Sequence, residues 1–339
     1  MQNPILVELT RGNLVESIHT GALAICDPKG RIITSTGNID RPIYPRSAVK
    51  VFQALPVLES GTADRYIYGS SEIALLCASH SGTPVHATLA QDMLTRAGQS
   101  EPALACGPHH PMNDDDAREL YKSGQTPSRL HNNCSGKHAG MLATCVHCGD
   151  PTTNYCDLDH PHQRRIAKAL HDFTGYDTAN AYVGIDGCSA PNWAFPLRHL
   201  AHAFARFITR DGLAKDRARH CETIVNACMA EPLLVAGSER LDTRAMTALS
   251  GKLYIKTGAE GIYCGAFPEM GYGFALKIDD GNKRASEAIT TTLISRILGT
   301  SQTFGTTGTI TNWHGTTTGE TRTTVALSKT LDAIRSTTH

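Results

Sequence analysis

The order of its element signals constrains this chain most: strand patterns stand at both ends and helical patterns fill the middle. Residues 5–9 and 14–19 alternate apolar and polar side chains around Arg11-Gly12-Asn13. Residues 22–26 run into the turn signal Asp27-Pro28-Lys29-Gly30, and 31–36 follow as the partner of a hairpin. Three- and four-residue apolar spacing then predicts helices over 47–60, 84–97, 137–148, 162–173 and 197–209. Strand patterns return at 252–256, 261–267 and 272–278, and a helix is expected over 285–298. The Thr- and Gly-rich tail reads as loop with one strand near 309–313. Such segregation predicts an α+β (α/β) fold. An antiparallel sheet is built from about residues 1–40 and 250–335, and a helical region at about 45–245 is inserted between them. No fixed-period repeat and no Pro-rich linker interrupts the chain, so one integrated domain over 1–339 is expected.

Composition narrows the function classes. The chain has 339 residues, of which 40% are hydrophobic and 19% charged, enough apolar content for a core rather than disorder. Lys plus Arg and Asp plus Glu each total 32, so there is no net charge to attract nucleic acid or an anionic membrane. No stretch approaches the ~20 apolar residues that span a bilayer. The N-terminus lacks a basic segment before an apolar run, so a cytoplasmic location is expected. In that setting the 11 cysteines read as free thiols or metal ligands rather than a disulfide framework.

Three constellations carry chemistry. The first is Ser47-Ala48-Val49-Lys50 at the start of a helical pattern, after the rigid Tyr44-Pro45 approach. Residues three apart share a helix face, so Lys50 could serve as base to Ser47 once its amine is neutral. The second is Lys256-Thr257-Gly258 at the end of a late strand. S-x-x-K early and K-T-G late is the signature of serine β-lactamases and penicillin-binding proteins. Their third element, S-D-N, is missing; Cys77-Ala78-Ser79-His80-Ser81-Gly82 stands nearest to its place and supplies serines but no Asn. The third constellation is a pair of polar loops, 131–140 and 184–191, which carry Cys134 and Cys188. Two thiolates with a nitrogen nearby suit Zn²⁺, while each cysteine alone reads as a small buried apolar residue. A rival zinc set is Cys145-x-x-Cys148 with Cys156, His160 and His162.

Together these motifs resemble the rhizobial-type L-asparaginases of the asparaginase II family. The resemblance is carried by P-R-S-A-V-K at 45–50, C-A-S-H-S-G at 77–82, N-C-S-G-K-H-A-G-M at 133–141, G-I-D-G-C-S-A-P at 184–191 and K-T-G-A-E-G at 256–261. It implies a serine β-lactamase-like fold, hydrolysis of L-asparagine to L-aspartate and ammonia, and a homodimer. It also implies two Ser–Lys tandems, Ser47 with Lys50 and Ser79 with Lys256, and a zinc-type site at Cys134, Lys137 and Cys188. Arg46 is the candidate for the substrate α-carboxylate, Asp186 or Glu260 for its α-amino group, and His138 for a pocket wall.

The expected mechanism is acyl transfer. Ser47, deprotonated by Lys50, attacks the side-chain amide, and the Ser79–Lys256 pair protonates the departing ammonia. The metal orients substrate rather than generating hydroxide. Several lysines in one site predict activity that rises toward alkaline pH. The alternatives are a penicillin-recognising or esterase-type serine hydrolase and a zinc-binding or thiol sensor.

Overall fold

The computed structural model describes residues 2–335. The chain divides into two compact units, one made of 2–48, 195–209 and 255–335, the other of 49–194 and 210–254.

The first unit is built on the antiparallel sheet. Its strand order runs Gly308–Thr311, Thr317–Thr323, Ile5–Arg11, Leu14–Cys26, Tyr272–Ile278, Ile262–Phe267 and Tyr254–Thr257, with Ile32–Thr36 also paired to Leu14–Cys26. The sheet therefore draws on both ends of the chain, as the sequence predicts. Where the pattern suggested two strands, 14–19 and 22–26, a single strand runs through. Its first half pairs with Ile5–Arg11, as in Glu8 opposite Ile18, and its second half with Tyr272–Ile278, as in Ala24 opposite Ala275. The change of partner at Thr20 and Gly21 makes the apolar pattern look broken. Helix Leu197–Thr209 packs on Tyr272–Ile278 through Leu200, Ala201, Phe204 and Ile208, all buried.

The C-terminal part departs most from expectation. The Thr-rich tail forms a hairpin, Gly308–Thr311 with Thr317–Thr323, followed by helix Val325–Arg335. Thr is β-branched and suits a pleated strand. What makes the hairpin a strand pair is its edge on Ile5–Arg11, with Val7 opposite Thr323, a partner at the far end of the chain.

The second unit is helical, with a small hairpin of Val183–Ile185 and Pro191–Trp193. Helix Lys50–Glu59 is buried along nearly its whole length, and its Phe52 ring meets Phe173 of helix Pro161–Thr174 at 5.2 Å. Helix Ser135–Cys148 packs against Ser70–Leu76. Its glycines make that approach possible. A Cβ on Gly136 would come within 2.4 Å of Leu75 Cγ, and one on Gly140 within 2.1 Å of Leu76 Cδ2. The i, i+4 glycine face thus seats the helix, and the residues between, Lys137 and His138, are buried with it. The sequence underestimates this unit: helices Ser70–Leu76, Lys215–Ala230 and Leu241–Ala248 carry too little periodic signal to stand out. No helix among the described residues is long and apolar enough to cross a membrane.

His162, on helix Pro161–Thr174, is fully buried, and neither ring nitrogen has a hydrogen-bond partner among the described residues. Burial, aided by the charge of Arg165, pushes its pKa down to about 3. The unfolded ring takes up its proton near the ordinary value of 6.5, and the folded ring refuses it until about 3. Stability should be intact above about pH 6.5 and fall at up to about 1.4 kcal/mol per pH unit below it. Urea unfolding at neutral pH and at about pH 4.5 should show that loss, and His162→Leu should flatten it.

Candidate active site

Lys50 is the first residue of its helix and is 1% exposed, so its amine must be satisfied inside the protein. Four acceptors surround Nζ. They are the Ala78 carbonyl, Ser79 Oγ at 2.9 Å, Cys134 Sγ at 3.1 Å and, more distantly, the Asn133 carbonyl at 3.5 Å. Two segments supply them: the loop after helix Ser70–Leu76 and the loop that opens helix Ser135–Cys148. The Ser79 loop is pinned by its backbone, with Ser79 N–H donating to the Val235 carbonyl at 2.9 Å.

A turn further along, Lys137 Nζ lies 3.1 Å from Cys188 Sγ. Cys134 Sγ donates to Asn133 Oδ1 at 3.0 Å. The neighbouring Cys134 thiol, opposed by burial and aided by the Lys137 ammonium, holds the Cys188 thiol well below its ordinary value. Cys188, together with burial, pushes Cys134 well up. The two thiols are therefore driven in opposite directions, with Cys188 the more readily ionised. Burial pulls the Lys137 ammonium down, but the sulfurs of Cys188 and Cys134 more than offset it, so its proton is held more tightly than usual. By contrast, burial pushes neighbouring Cys106 and Cys156 up to about 12.

His138 does not stand open as a pocket wall; it is fully buried. The Tyr155 hydroxyl oxygen accepts from the Ala105 N–H at 2.7 Å and lies in hydrogen-bond contact with His138 Nδ1 at 2.8 Å. The other ring nitrogen, Nε2, has no hydrogen-bond partner of ordinary geometry among the described residues. Burial lowers the imidazole pKa, and Cys188 acts against that. Asp186 is half-buried and accepts from the Gly187 N–H at 2.7 Å; its charge also supports the Lys137 ammonium.

In the sheet unit, Arg46 and Ser47 lie in the 3-10 turn Arg46–Val49 that runs into helix Lys50–Glu59. Lys256 is fully buried at the end of strand Tyr254–Thr257, with Nζ donating to the Thr257 carbonyl at 3.2 Å. A Cβ on Gly258 would meet the Pro45 carbonyl oxygen at 2.8 Å, which explains the glycine of K-T-G. The same close approach brings K-T-G onto the P-R-S segment. Glu260 is exposed, and its backbone carbonyl accepts from Lys277 Nζ. Arg46, Ser189 and Glu260 have φ of +53°, +73° and +59°, a left-handed backbone that costs a non-glycine residue energy and often marks functional positions.

Of the residues the sequence singled out, the helical unit gathers Lys50, Ser79, Cys134, Lys137, His138 and Cys188. The sheet unit gathers Arg46, Ser47 and the K-T-G strand end. The bond formed is Lys50 with Ser79, where the sequence paired Lys50 with Ser47 and Ser79 with Lys256. The rival zinc set is not assembled. Cys145 and Cys148 lie on one helix, the first buried and the second exposed. No group of three or more His, Cys, Asp or Glu that could hold a metal occurs among the described residues. The expected trio draws two members from those residue types, its third donor being an amine. Sequence reasoning missed Tyr155, which no motif marks, and gave no role to His80, though it quoted the motif that holds it.

A cavity of about 900 Å³ in the helical unit is lined by Leu104, Tyr155, Cys156, Ile185 and Ser189, among others. Burial pushes its thiol, Cys156, up to about 12. The buried lysine–serine–thiol cluster is the stronger candidate.

The family model for L-asparaginase II matches residues 7–323. No curated protein matches the chain. Among solved structures, one described as "Crystal Structure Analysis of Mglu" aligns with a TM-score of 0.37 at 13% identity, covering 82% of this chain and 67% of that one. Another, Mglu "in its tris and glutamate form", aligns with a TM-score of 0.36 at 15% identity, covering 88% of this chain and 63% of that one. The chain thus spans about two thirds of their length, and the likeness is too slight to carry an argument.

The charge assignment in the sulfur cluster is testable without substrate. Thiolate ultraviolet absorbance should titrate once well below the ordinary thiol range. Lys137→Met should move that step upward by removing the adjacent cation.

Proposed function

This chain belongs to the L-asparaginase II family, and we propose that it hydrolyses L-asparagine to L-aspartate and ammonia through a serine–lysine acyl-enzyme. Membership makes it an asparaginase-type amidohydrolase acting on a small-molecule amide. The observation that carries the finer reading is the buried Lys50 Nζ, 2.9 Å from Ser79 Oγ. As base, the amine turns its lone pair to the Ser79 hydroxyl and keeps two N–H bonds for the Ala78 carbonyl and Cys134 Sγ. Ser79 then attacks the side-chain amide carbon, and the proton moves to Lys50. The resulting ammonium protonates the departing ammonia, leaving a β-aspartyl ester on Ser79. Lys50 takes a proton from water, which attacks that ester, and returns it to the departing Ser79 Oγ as L-aspartate is freed. Ser47 is the rival nucleophile, and Lys256 the second lysine of the reaction. Arg46 is assigned the substrate α-carboxylate, and Asp186 or Glu260 its α-amino group. The serine β-lactamase-like reading of the fold rests on S-x-x-K and K-T-G.

Zinc belongs to the same proposal. Two sulfurs and a nitrogen already converge, all nearly buried, and that soft donor set fits Zn²⁺. Cys134, Cys188 and Lys137 would hold the ion once the Cys134 thiol and the Lys137 ammonium had given up their protons, and the ion when bound would orient the substrate. A homodimer and a cytoplasmic location complete the reading. Exposed Leu158, Val183 and Ile185 line one cavity and offer an apolar surface to a second copy.

Ammonia release from L-asparagine should fall by more than about 10³-fold in folded Ser79→Ala. A quenched reaction should leave the acyl adduct on a Ser79 peptide. An adduct on Ser47 instead would move the nucleophile to the hydroxyl the sequence favoured.

Stripping metal with a chelator should raise KM more than it lowers kcat, with zinc restoring it. Complete loss of turnover, restored by zinc, would instead give the ion a part in the chemical step itself.

A further inference from the structure

The Lys50 site is a notch between two segments, the loop 77–79 and the loop 133–134. Whatever sets the spacing of those segments sets the reach of Lys50 to Ser79. His80 spans the same notch. Its backbone N–H donates to the Asn133 carbonyl at 3.3 Å, and its side chain lies 3.0 Å from Ser135 Oγ through Nε2. The Gly82 N–H donates to His80 Nδ1 at 3.1 Å, which places the ring proton on Nε2 and makes His80 the donor to Ser135. The ring is fully buried and stacks on His86 at 4.7 Å, with 6° between planes. His86 is itself held, its Nε2 donating to the Leu233 carbonyl at 3.0 Å and its Nδ1 accepting from Thr83 Oγ1 at 2.6 Å. On the far side, Ser79 N–H and Ser81 Oγ donate to the carbonyls of Val235 and Ala236. The serine loop is therefore gripped on one side by main chain, and on the other by one backbone bond and the His80 ring.

We propose that His80 is a positioning residue: its Nε2–H bond to Ser135 fixes the serine loop against the start of the helix carrying Lys137, and so holds Ser79 Oγ within reach of Lys50. The ring touches no substrate. It acts through distance, since a shift of about an ångström between reacting groups costs on the order of 10²-fold in rate. It is also no proton carrier. Burial, with the charges of His86, Lys50, His109 and His131, keeps it neutral far below the ordinary imidazole range.

The proposal rests on the reading of Ser79 and Lys50 as nucleophile and base, and two near-isosteric variants test it. His80→Gln places an amide N–H near Nε2 and retains the bond to Ser135. His80→Asn places its oxygen near Nδ1, retaining the bond from Gly82 and losing the one to Ser135. With L-asparagine as substrate, His80→Asn should lose about 10–100-fold in kcat with KM within about 3-fold. His80→Gln should recover all but a few-fold, with the shape of the kcat/KM pH profile unchanged. Ser135→Ala, which removes the acceptor with little change of volume, should resemble His80→Asn, and combining the two should cost little more than either. Thermal midpoints of all variants report folding. Equal kcat in folded His80→Asn and His80→Gln, with Ser79→Ala inactive, would overturn the tether alone. Full turnover in Ser79→Ala would overturn the reading beneath it. Loss of one limb of the pH profile in His80→Gln would make His80 a proton carrier instead.

Discussion

A buried amine is the constraint on which the rest of the site depends. Lys50 lies inside the helical unit, and an unpaired ammonium there would cost far more than a domain's marginal stability allows. The fold meets that cost with two carbonyls, a hydroxyl and a sulfur drawn from two loops. Those loops must then stay at a fixed separation, and the packing around them follows from that need. The glycine face at Gly136 and Gly140 seats one loop's helix against Ser70–Leu76, whose end leads into the other loop. The groups that satisfy the lysine are also the groups chemistry would use.

Electrostatics divides the neighbouring sulfurs in the same way. Cys106, Cys134, Cys156 and Cys188 are chemically alike, yet only Cys188 has its thiol pKa pulled down, because the Cys134 thiol and the Lys137 ammonium both act on it. Burial dominates at Cys106 and Cys156 and keeps their protons on. A thiolate beside a cation is a ready soft ligand, and the pair also stabilises the buried lysine that accompanies it. Charge and metal-binding capacity are two consequences of one arrangement.

Much of the fold was legible in the sequence, and the failures have physical causes. Helix Leu197–Thr209 and strand Tyr272–Ile278 were read to the residue because each buries a regular stripe or face. Strand Leu14–Cys26 was split in two because its partner changes partway along. The tail was read as loop with one strand near 309–313, and its partner Thr317–Thr323 was missed because that strand's stability comes from Ile5–Arg11 rather than from its own apolar pattern. In the site, Lys137 and Cys188, grouped with Cys134 from loop character and family resemblance, lie 3.1 Å apart. Spacing pairs Lys50 with Ser47, whereas the hydrogen bond Lys50 makes is to Ser79, since S-x-x-K spacing is local and the Ser79 loop is distant in sequence. His80 and Tyr155 had no signal, because a positioning role is defined by partners that are distant in sequence.

The sequence by itself determined the class of the molecule: a sheet drawn from both chain ends, an inserted helical region, and the hydroxyls, amines and thiols of an amidohydrolase family. Those properties depend on periodicity and on motif order, which are one-dimensional. Only the tertiary structure decided which hydroxyl meets which amine, which of the neighbouring sulfurs holds the charge, and which imidazole nitrogen carries a proton. Each of those depends on distances of about 3 Å between residues far apart in the chain, and on how far burial strips water from them.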